Sequence, residues 1–374
     1  MKAATAQRSV PFFDYPQVFL SREAAFVETF RQVGRRGAFI MQKDLEAFEQ
    51  HLARFLQSAH AVGVANATDG LMLGLRAAGL RPGDEVILCS HTMIATAAAV
   101  HFAGGVPVPV EVGADHLIDP DAVEAAITPR TRFLMPTQLN GRTCDMARLG
   151  AIAERHHLQI VEDAAQALGS RFRGRCAGTF GTAAAISFYP AKVLGCLGDG
   201  GAVLTQDAHL RERLLLLRDH GRGPDGECAD WGINSRLDNL QAAFLDLQLP
   251  DYPTVVARRR EIAARYQRNL GSLAELKLPP APDSDPDHFD IFQNYEIEAE
   301  DRDRLRTHLK ARGVGVLIQW GGYAVHQCRA LGFTQELPRT DALFRRLLML
   351  PMNMSLSDED VDWVSEAIAD FYAA

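Results

Sequence analysis

Three short stretches carry side chains whose types and spacing could do chemistry together. The first is SFYPAKVLGCLGDGGAV, residues 187–203, where Lys192 sits between an apolar run and a cluster of glycines. A lysine in such a place is either an ordinary solvated charge or an amine held for covalent chemistry. The glycines behind it let a backbone turn sharply or pass close to a ligand. In the second stretch, QIVEDAAQ, Glu162 and Asp163 close an apolar run and Gln166 follows three residues later. A carboxylate there caps the next segment, or it holds a cationic partner, because a buried charge requires one. In the third stretch, AVGVANATDG, a short apolar run ends at Asn66-Ala67-Thr68-Asp69-Gly70, which opens a helical pattern. Either Thr68 or Asp69 is a plain N-cap, or the free N–H groups and hydroxyls make an anion site. An amine, a carboxylate and an anion cup are the parts that pyridoxal 5'-phosphate needs: a lysine for covalent attachment, an acid on its pyridinium nitrogen and a phosphate site.

These residues converge only if a scaffold brings their segments to one edge. Short apolar runs at 61–65, 86–89, 106–112, 131–137 and 159–163 read as strands, and 69–79, 93–104, 120–127 and 146–158 as helices between them. Strand and helix alternate with short connections, which predicts βαβ units, a mostly parallel sheet covered on both faces, and ligands beyond the carboxyl ends of its strands. All three stretches fall at such ends. The segments 21–34 and 42–56 have apolar residues at helical spacing. Past a strand at 202–206 come a helix at 208–221, a polar loop at 221–236 and a long helical stretch through 239–270. A Pro- and Asp-rich connector at 279–290 leads to a smaller α+β region, with strands at 294–299 and 314–320 and helices at 303–313 and 357–372. Two domains are expected, 1–250 holding the large α/β sheet and 251–374 the smaller α+β part.

Length and composition agree with this reading. At 374 residues the chain exceeds a prior of roughly 150 per domain. Its 47% apolar and 23% charged content is that of a soluble globular protein. A net charge of -8 argues against a nucleic-acid surface, and no apolar run is long enough for a membrane span. The first sixteen residues lack a signal-type apolar stretch. Six scattered cysteines (89, 144, 176, 196, 228 and 328), with no C-x-x-C pair, read as reduced thiols of a cytoplasmic protein. Their spacing offers no metal site.

With these motifs in place, the sequence resembles the DegT/DnrJ/EryC1/StrS group of sugar-nucleotide aminotransferases, which have the type I (aspartate-aminotransferase) fold. The resemblance rests on GAFIMQKDLEAFE, VANATDGLMLGLRAAGLRPGDEVI, VEDAAQALGSRFRGRCAGTFG, SFYPAKVLGCLGDGGAV and GINSRLDNLQAA, ordered along nearly the whole chain. It implies that Lys192 holds pyridoxal phosphate covalently and later shuttles a proton. Asp163 pairs with the pyridinium nitrogen, and Gln166 contacts the 3-hydroxyl side. Ser187, Thr68 and Asp69 hold the phosphate. Asn234 reaches the phosphate of a neighbouring subunit, which implies a homodimer with shared active sites. Arg236 either meets a substrate charge or forms a surface salt bridge.

The chain also departs from the family pattern. Met93 stands where members usually place an aromatic ring over the cofactor, and Ala67 replaces the first residue of the usual Gly-Thr-Asp-Ala run. Gln319-Trp320-Gly321-Gly322 stands where a His-Tyr-Pro run is common, and His326 matches a later family histidine loosely. Trp320 stacks on substrate or fills core. The implied reaction moves an amino group from L-glutamate to a keto group of a dTDP- or UDP-linked sugar. The GDGG ending favours the 3-keto position, with the 4-keto isomer as the alternative. Lysine at 192 speaks against dehydratase relatives, which carry histidine there. A non-catalytic regulatory protein of the same fold is the reading from another class.

Overall fold

The computed structural model describes residues 8–373. Residues 1–7, part of the stretch read as lacking a signal segment, lie outside the described residues. Helices α1 (Tyr15–Leu20), α2 (Glu23–Arg36) and α3 (Lys43–Leu56) come first. The α/β part follows in chain order: β1 (His60–Val64), α4 (Ala67–Ala77), β2 (Glu85–Cys89), α5 (Ile94–Phe102), β3 (Val106–Val110), α6 (Pro120–Ala125), β4 (Thr131–Met135), α7 (Met146–Arg155) and β5 (Gln159–Asp163). Next come a small hairpin, β6 (Arg171–Phe172) and β7 (Arg175–Cys176), then β8 (Ala183–Ser187), β9 (Gly201–Thr205), α8 (Ala208–Leu217) and α9 (Asn239–Gln248). The remainder comprises α10 (Tyr252–Leu270), β10 (Leu276–Lys277), β11 (His288–Phe289), β12 (Tyr295–Ala299), α11 (Arg302–Ala311), α12 (Pro338–Arg346), β13 (Leu347–Leu350) and α13 (Asp358–Ala373).

Seven strands form the large sheet in the order β1-β9-β8-β5-β4-β2-β3. β8, β5, β4, β2 and β3 run parallel, while β9 is antiparallel to both of its neighbours. The mostly parallel expectation therefore holds, with one reversed strand inserted between β1 and β8. Three apolar clusters cover the sheet's faces, one of them joining Ile87, Leu134 and Ile160 to α6 and α7. Another contains α4, α5 and α8 residues such as Leu71, Val100 and Leu214; the third contains Leu45, Phe48, Leu52 and Leu56 of α3. Those four recur every three or four residues, so α3 presents one apolar stripe to the sheet.

A second, three-stranded sheet, β10-β12-β13, packs with α10, α11 and α13 around Tyr266, Tyr295, Leu309 and Ile368. Val10 belongs to the same cluster and bridges Val314, so the start of the described chain is stitched to its end. Two readings of this region change. Residues 314–320 are not a strand: Val314 and Leu317 make single bridges, and Trp320, Gly321 and Gly322 take left-handed backbone angles that end any extended run. The pairing strand is instead β13, which directly abuts α12 and is fully buried. The helical stretch 239–270 is broken at Pro250, where a 3-10 turn separates α9 from α10. All six cysteines are free. Among the described residues, no helix is long and apolar enough to cross a membrane.

Candidate active site

The residues expected to form an anion cup lie where β8 and β9 meet the start of α4. Neither Thr68 nor Asp69 is the N-cap of α4, as one reading of the sequence had it. Asn66 is the cap, and its Oδ1 accepts the Asp69 N–H at 2.9 Å. Thr68 and Asp69 therefore lie in the first turn, and the Ala67 and Thr68 N–H groups have no intrahelical acceptor. Ser187, the last residue of β8, pairs with Gly201 of β9. A Cβ on Gly201 would fall 2.6 Å from the Asn66 carbonyl carbon and 2.8 Å from the Ala67 nitrogen. This glycine lets β9 press against the start of α4 and so brings Ser187 up to the helix end. Gly200 is similar, since its Cβ would meet the Cys196 sulfur at 2.5 Å. At both positions the glycines after Lys192 permit close packing of the protein on itself.

The two acids of the second stretch take different roles, because successive strand residues face opposite ways. Glu162 is fully buried, and its carboxylate accepts N–H groups from Gly178 (2.8 Å), Phe180 (2.6 Å) and Gly181 (2.9 Å) and the Gln138 amide (2.8 Å). It shapes the loop ahead of β8. Asp163 ends β5, the strand between β4 and β8. Its Oδ2 accepts the Thr96 hydroxyl at 2.7 Å and its Oδ1 the Ala165 N–H at 3.2 Å. Burial raises its pKa, while those two donors and the charge on Lys192 pull it down.

Lys192, on the loop after β8, and Asp163, at the end of the neighbouring β5, are near enough for each to act on the other's charge. Burial pushes the Lys192 amine down to about 8, against an opposing pull from Asp163. An amine in that range is neutral part of the time near neutral pH, as a nucleophile and proton carrier must be. Its loop is clamped. The Lys192 N–H donates to Tyr189 O at 2.8 Å. The Gln293 side chain bridges the residues on either side, accepting from Val193 N–H at 3.0 Å and donating to Ala191 O at 3.0 Å. A 430 Å³ cavity also touches Lys192, between α1, α10 and residues 353–355, but Asp163, Ser187 and Thr68 do not line it.

Gln166 is half-buried, and its Oε1 accepts the Asn140 N–H at 2.9 Å and the Asn294 amide at 3.3 Å. With the carbonyl end so occupied, the amide nitrogen is the end left for a ligand. Gln319 extends this network, donating to Asn140 Oδ1 and to Glu296 Oε2, both at 2.7 Å. Glu296 in turn accepts from His116 at 3.1 Å. Burial disfavours a charged His116, but Glu296 and Glu298 overrule it and hold the pKa up at about 9.

The remaining predicted residues divide. Met93, the residue before α5, is exposed and makes no cap bond. Asn234 is exposed on the 221–236 loop, with its backbone bridged to Asp219. Arg236 forms the salt bridge that the sequence left open, with Asp219 at 2.8 Å. Trp320 is half-buried, packing edge-on against His91 at 5.3 Å and lying beside Phe344 at the margin of a core cluster. His326 is a correction: it is fully buried, with Nδ1 on Ser90 Oγ (2.7 Å) and Nε2 on Asp341 (3.1 Å), and no edge remains for a substrate. The sequence reading missed Thr96, Gln293 and Asn140. The HTMIAT segment held the signal for Thr96, which sits three residues beyond Met93, but neutral polar clamps have no spacing rule that singles them out.

A buried acid ending one strand, an amine on the loop after its neighbour, and a helix N-terminus with a serine brought beside it by a glycine contact fit pyridoxal phosphate: a carboxylate for the ring nitrogen, an amine for the aldehyde and neutral donors for the phosphate. The family profile described as the DegT/DnrJ/EryC1/StrS aminotransferase family matches residues 21–369. The chain is 42% identical to a dTDP-3-amino-3,4,6-trideoxy-alpha-D-glucose transaminase of Streptomyces venezuelae, over 97% of this chain and 96% of that one. The X-ray structure of S. venezuelae DesV in complex with a ketimine intermediate superposes with a TM-score of 0.94 at 41% identity, covering 98% of this chain and 99% of that one. The Bacillus subtilis protein NtdA, crystallised with bound cofactor PMP, gives 0.91 at 28% identity over 100% and 87%. With site geometry, full-length sequence and fold in agreement, this chain belongs to the DegT/DnrJ/EryC1/StrS aminotransferase family and uses pyridoxal phosphate.

Proposed function

We propose that the protein transfers an amino group from L-glutamate to the 3-keto position of a dTDP- or UDP-linked sugar, working as a homodimer in the cytoplasm. The placement of Asp163, held by Thr96 and Ala165 at the end of β5, beside the neighbouring β8 and the clamped loop that carries Lys192 is the observation that supports the transamination chemistry. The substrate class rests on the S. venezuelae transaminase named above. When bound, the cofactor supplies an electron sink for the bond broken at the amine-bearing carbon.

The chain's own residues do the rest. Asp163 holds positive charge on the ring nitrogen through its buried carboxylate. Ala67 and Thr68 N–H groups, with the Thr68 and Ser187 hydroxyls, bind the phosphate. Gln166 donates its amide to the ring's 3-oxygen, because its carbonyl end is spoken for by Asn140. Lys192 would hold the cofactor, and its amine would serve as the group that takes up and gives back a proton. Its lowered pKa keeps part of the population neutral. Asn234, exposed on its loop, would complete the phosphate site of the partner subunit, and Met93, exposed ahead of α5, would offer its polarizable sulfur to the ring.

The test is a glutamate-dependent screen of the purified, cofactor-loaded protein against dTDP-, UDP- and GDP-linked 3-keto and 4-keto sugars, with mass detection of the amino product. Amination of a 3-keto dTDP or UDP sugar is the expected result. Turnover of the 4-keto isomer alone corrects the position. A visible band that glutamate fails to bleach replaces the enzyme with a cofactor-binding regulatory protein.

A further inference from the structure

Three buried hydroxyls stand in line behind Asp163. Thr96 Oγ1 donates to Asp163 Oδ2 at 2.7 Å, Thr92 Oγ1 lies 2.8 Å from Thr96 Oγ1, and Thr137 Oγ1 donates to Thr92 Oγ1 at 2.9 Å. All three residues are nearly inaccessible, at 0%, 1% and 5% exposure for Thr96, Thr92 and Thr137. Each hydroxyl has one proton, and a carboxylate only accepts. Thr96 therefore spends its proton on Asp163 and can only accept from Thr92, and Thr92 can only accept from Thr137. The bond directions are fixed, and all three dipoles point their positive ends at the carboxylate.

The far end of the chain is fastened to the same residue through its backbone. Asp163 N–H donates to Pro136 O at 3.0 Å, and Gln138 N–H donates to Asp163 O at 2.9 Å, on either side of Thr137. The exit of β4 thus grips Asp163 from behind and feeds the hydroxyl line that meets it from above α5. Valine has the shape of threonine, so filling volume does not require three hydroxyls here. Aligned hydrogen bonds polarise one another and strengthen in a low-dielectric interior. The charge on Lys192 also pulls on Asp163.

We propose that Thr96, Thr92 and Thr137 form a directional hydroxyl chain that keeps Asp163 ionised and aimed at the ring nitrogen of the bound cofactor. Thr92 and Thr137 are positioning residues that act through Thr96. This rests on the cofactor reading above. Without the chain Asp163 binds its proton more strongly, and the ring nitrogen surrenders positive charge. The nitrogen joined to Lys192 then becomes more basic.

The experiment loads wild-type, T96V, T96S, T92V and T137V proteins with pyridoxal phosphate. Cofactor dissociation constants are read by fluorescence quenching, and the visible band is titrated against pH. T96V is expected to raise the titration midpoint by about one pH unit and to weaken binding about tenfold, the scale of one hydrogen bond to a charged group. T137V, two hydroxyls away from Asp163, is expected to shift the midpoint the same way by less, and T96S to restore it. T92V and T137V keep the test decisive if T96V does not fold. A midpoint that stays put in T96V or T137V, or that moves equally in T96S and T96V, overturns the proposal. A wild-type protein with no visible band overturns the cofactor reading instead.

Discussion

At the scale of one residue, Lys192 is tuned against stability. Its pKa is about 8 in the fold, against 10.5 in an open chain, because burial outweighs the attraction of Asp163. Below about pH 8 the folded apoprotein therefore carries a cation that burial disfavours, and this cost is fully present there. It is relieved as pH rises from about 8 to about 10.5, where the unfolded chain loses its proton too. K192M removes the charge at similar length. At pH 7 the K192M apoprotein is expected to be more stable than wild type by roughly 1–3 kcal/mol in urea titrations. The gap should close above about pH 10, and equal stabilities at pH 7 would refute the buried-amine account. The same shift sets reactivity. The rate at which the apoprotein captures pyridoxal phosphate should rise with pH to a plateau with a midpoint near 8, followed as growth of the visible band. K192A should not develop that band at all.

Among the elements, alternation carried the sequence reading far and tertiary pairing limited it. The large-sheet strands were found within a few residues because buried strands between amphipathic helices leave a plain pattern: 159–163 was read as a strand and is β5, and 131–137 contains β4. Nothing in that pattern marks β9 as reversed, since the direction of a strand lies in its connection and not in its side chains. The run 314–320 looked as extended as β12 does, and only the three left-handed residues at its end dismantle it. At the candidate site, Asp163 and Ser187 were expected at strand ends and are the last residues of β5 and β8, while Lys192 lies on the loop that follows β8. His326 was misjudged because a fully satisfied core histidine and a ligand histidine look alike in sequence. The glycines after Lys192 were read for ligand approach, yet Gly201 matters for how β9 meets α4. G201A would force a Cβ to within 2.6–2.8 Å of Asn66 and Ala67 backbone atoms. It is expected to cost about 2–4 kcal/mol in thermal or urea unfolding and to weaken phosphate binding in the surviving fold, measured as cofactor affinity. A neutral result would mean that β9 and the α4 N-terminus can move apart freely.

On the scale of the whole molecule, the single chain exposes apolar segments beside its candidate site residues. Asn234 is exposed, although the loop that carries it is pinned at its base, where a Cβ on Gly232 would fall 2.0 Å from the Gly221 nitrogen. A loop held so firmly presents its residues in a fixed place. Nearby in sequence, Trp231 is 88% exposed. Phe39, Ile40 and Met41 are exposed in succession on a segment tied to α9 by a 3.0 Å bond from the Asn239 N–H to Phe39 O. Tyr189 and Leu197 of the Lys192 loop are exposed as well. Large apolar side chains concentrated on segments that carry or flank functional residues are what an obligate subunit interface covers. Shared sites make a prediction that independent sites do not. K192A and N234A subunits should each be nearly inactive as pure dimers, one lacking the amine and the other the phosphate contact. Co-expressed, they reassort at random, so about half the dimers are mixed. A mixed dimer then holds one site with both groups intact and one with neither, and the population should recover about one quarter of wild-type activity per site. Activity of the mixture no greater than the sum of its pure parents would place Asn234 in its own subunit's site and end the shared-site account.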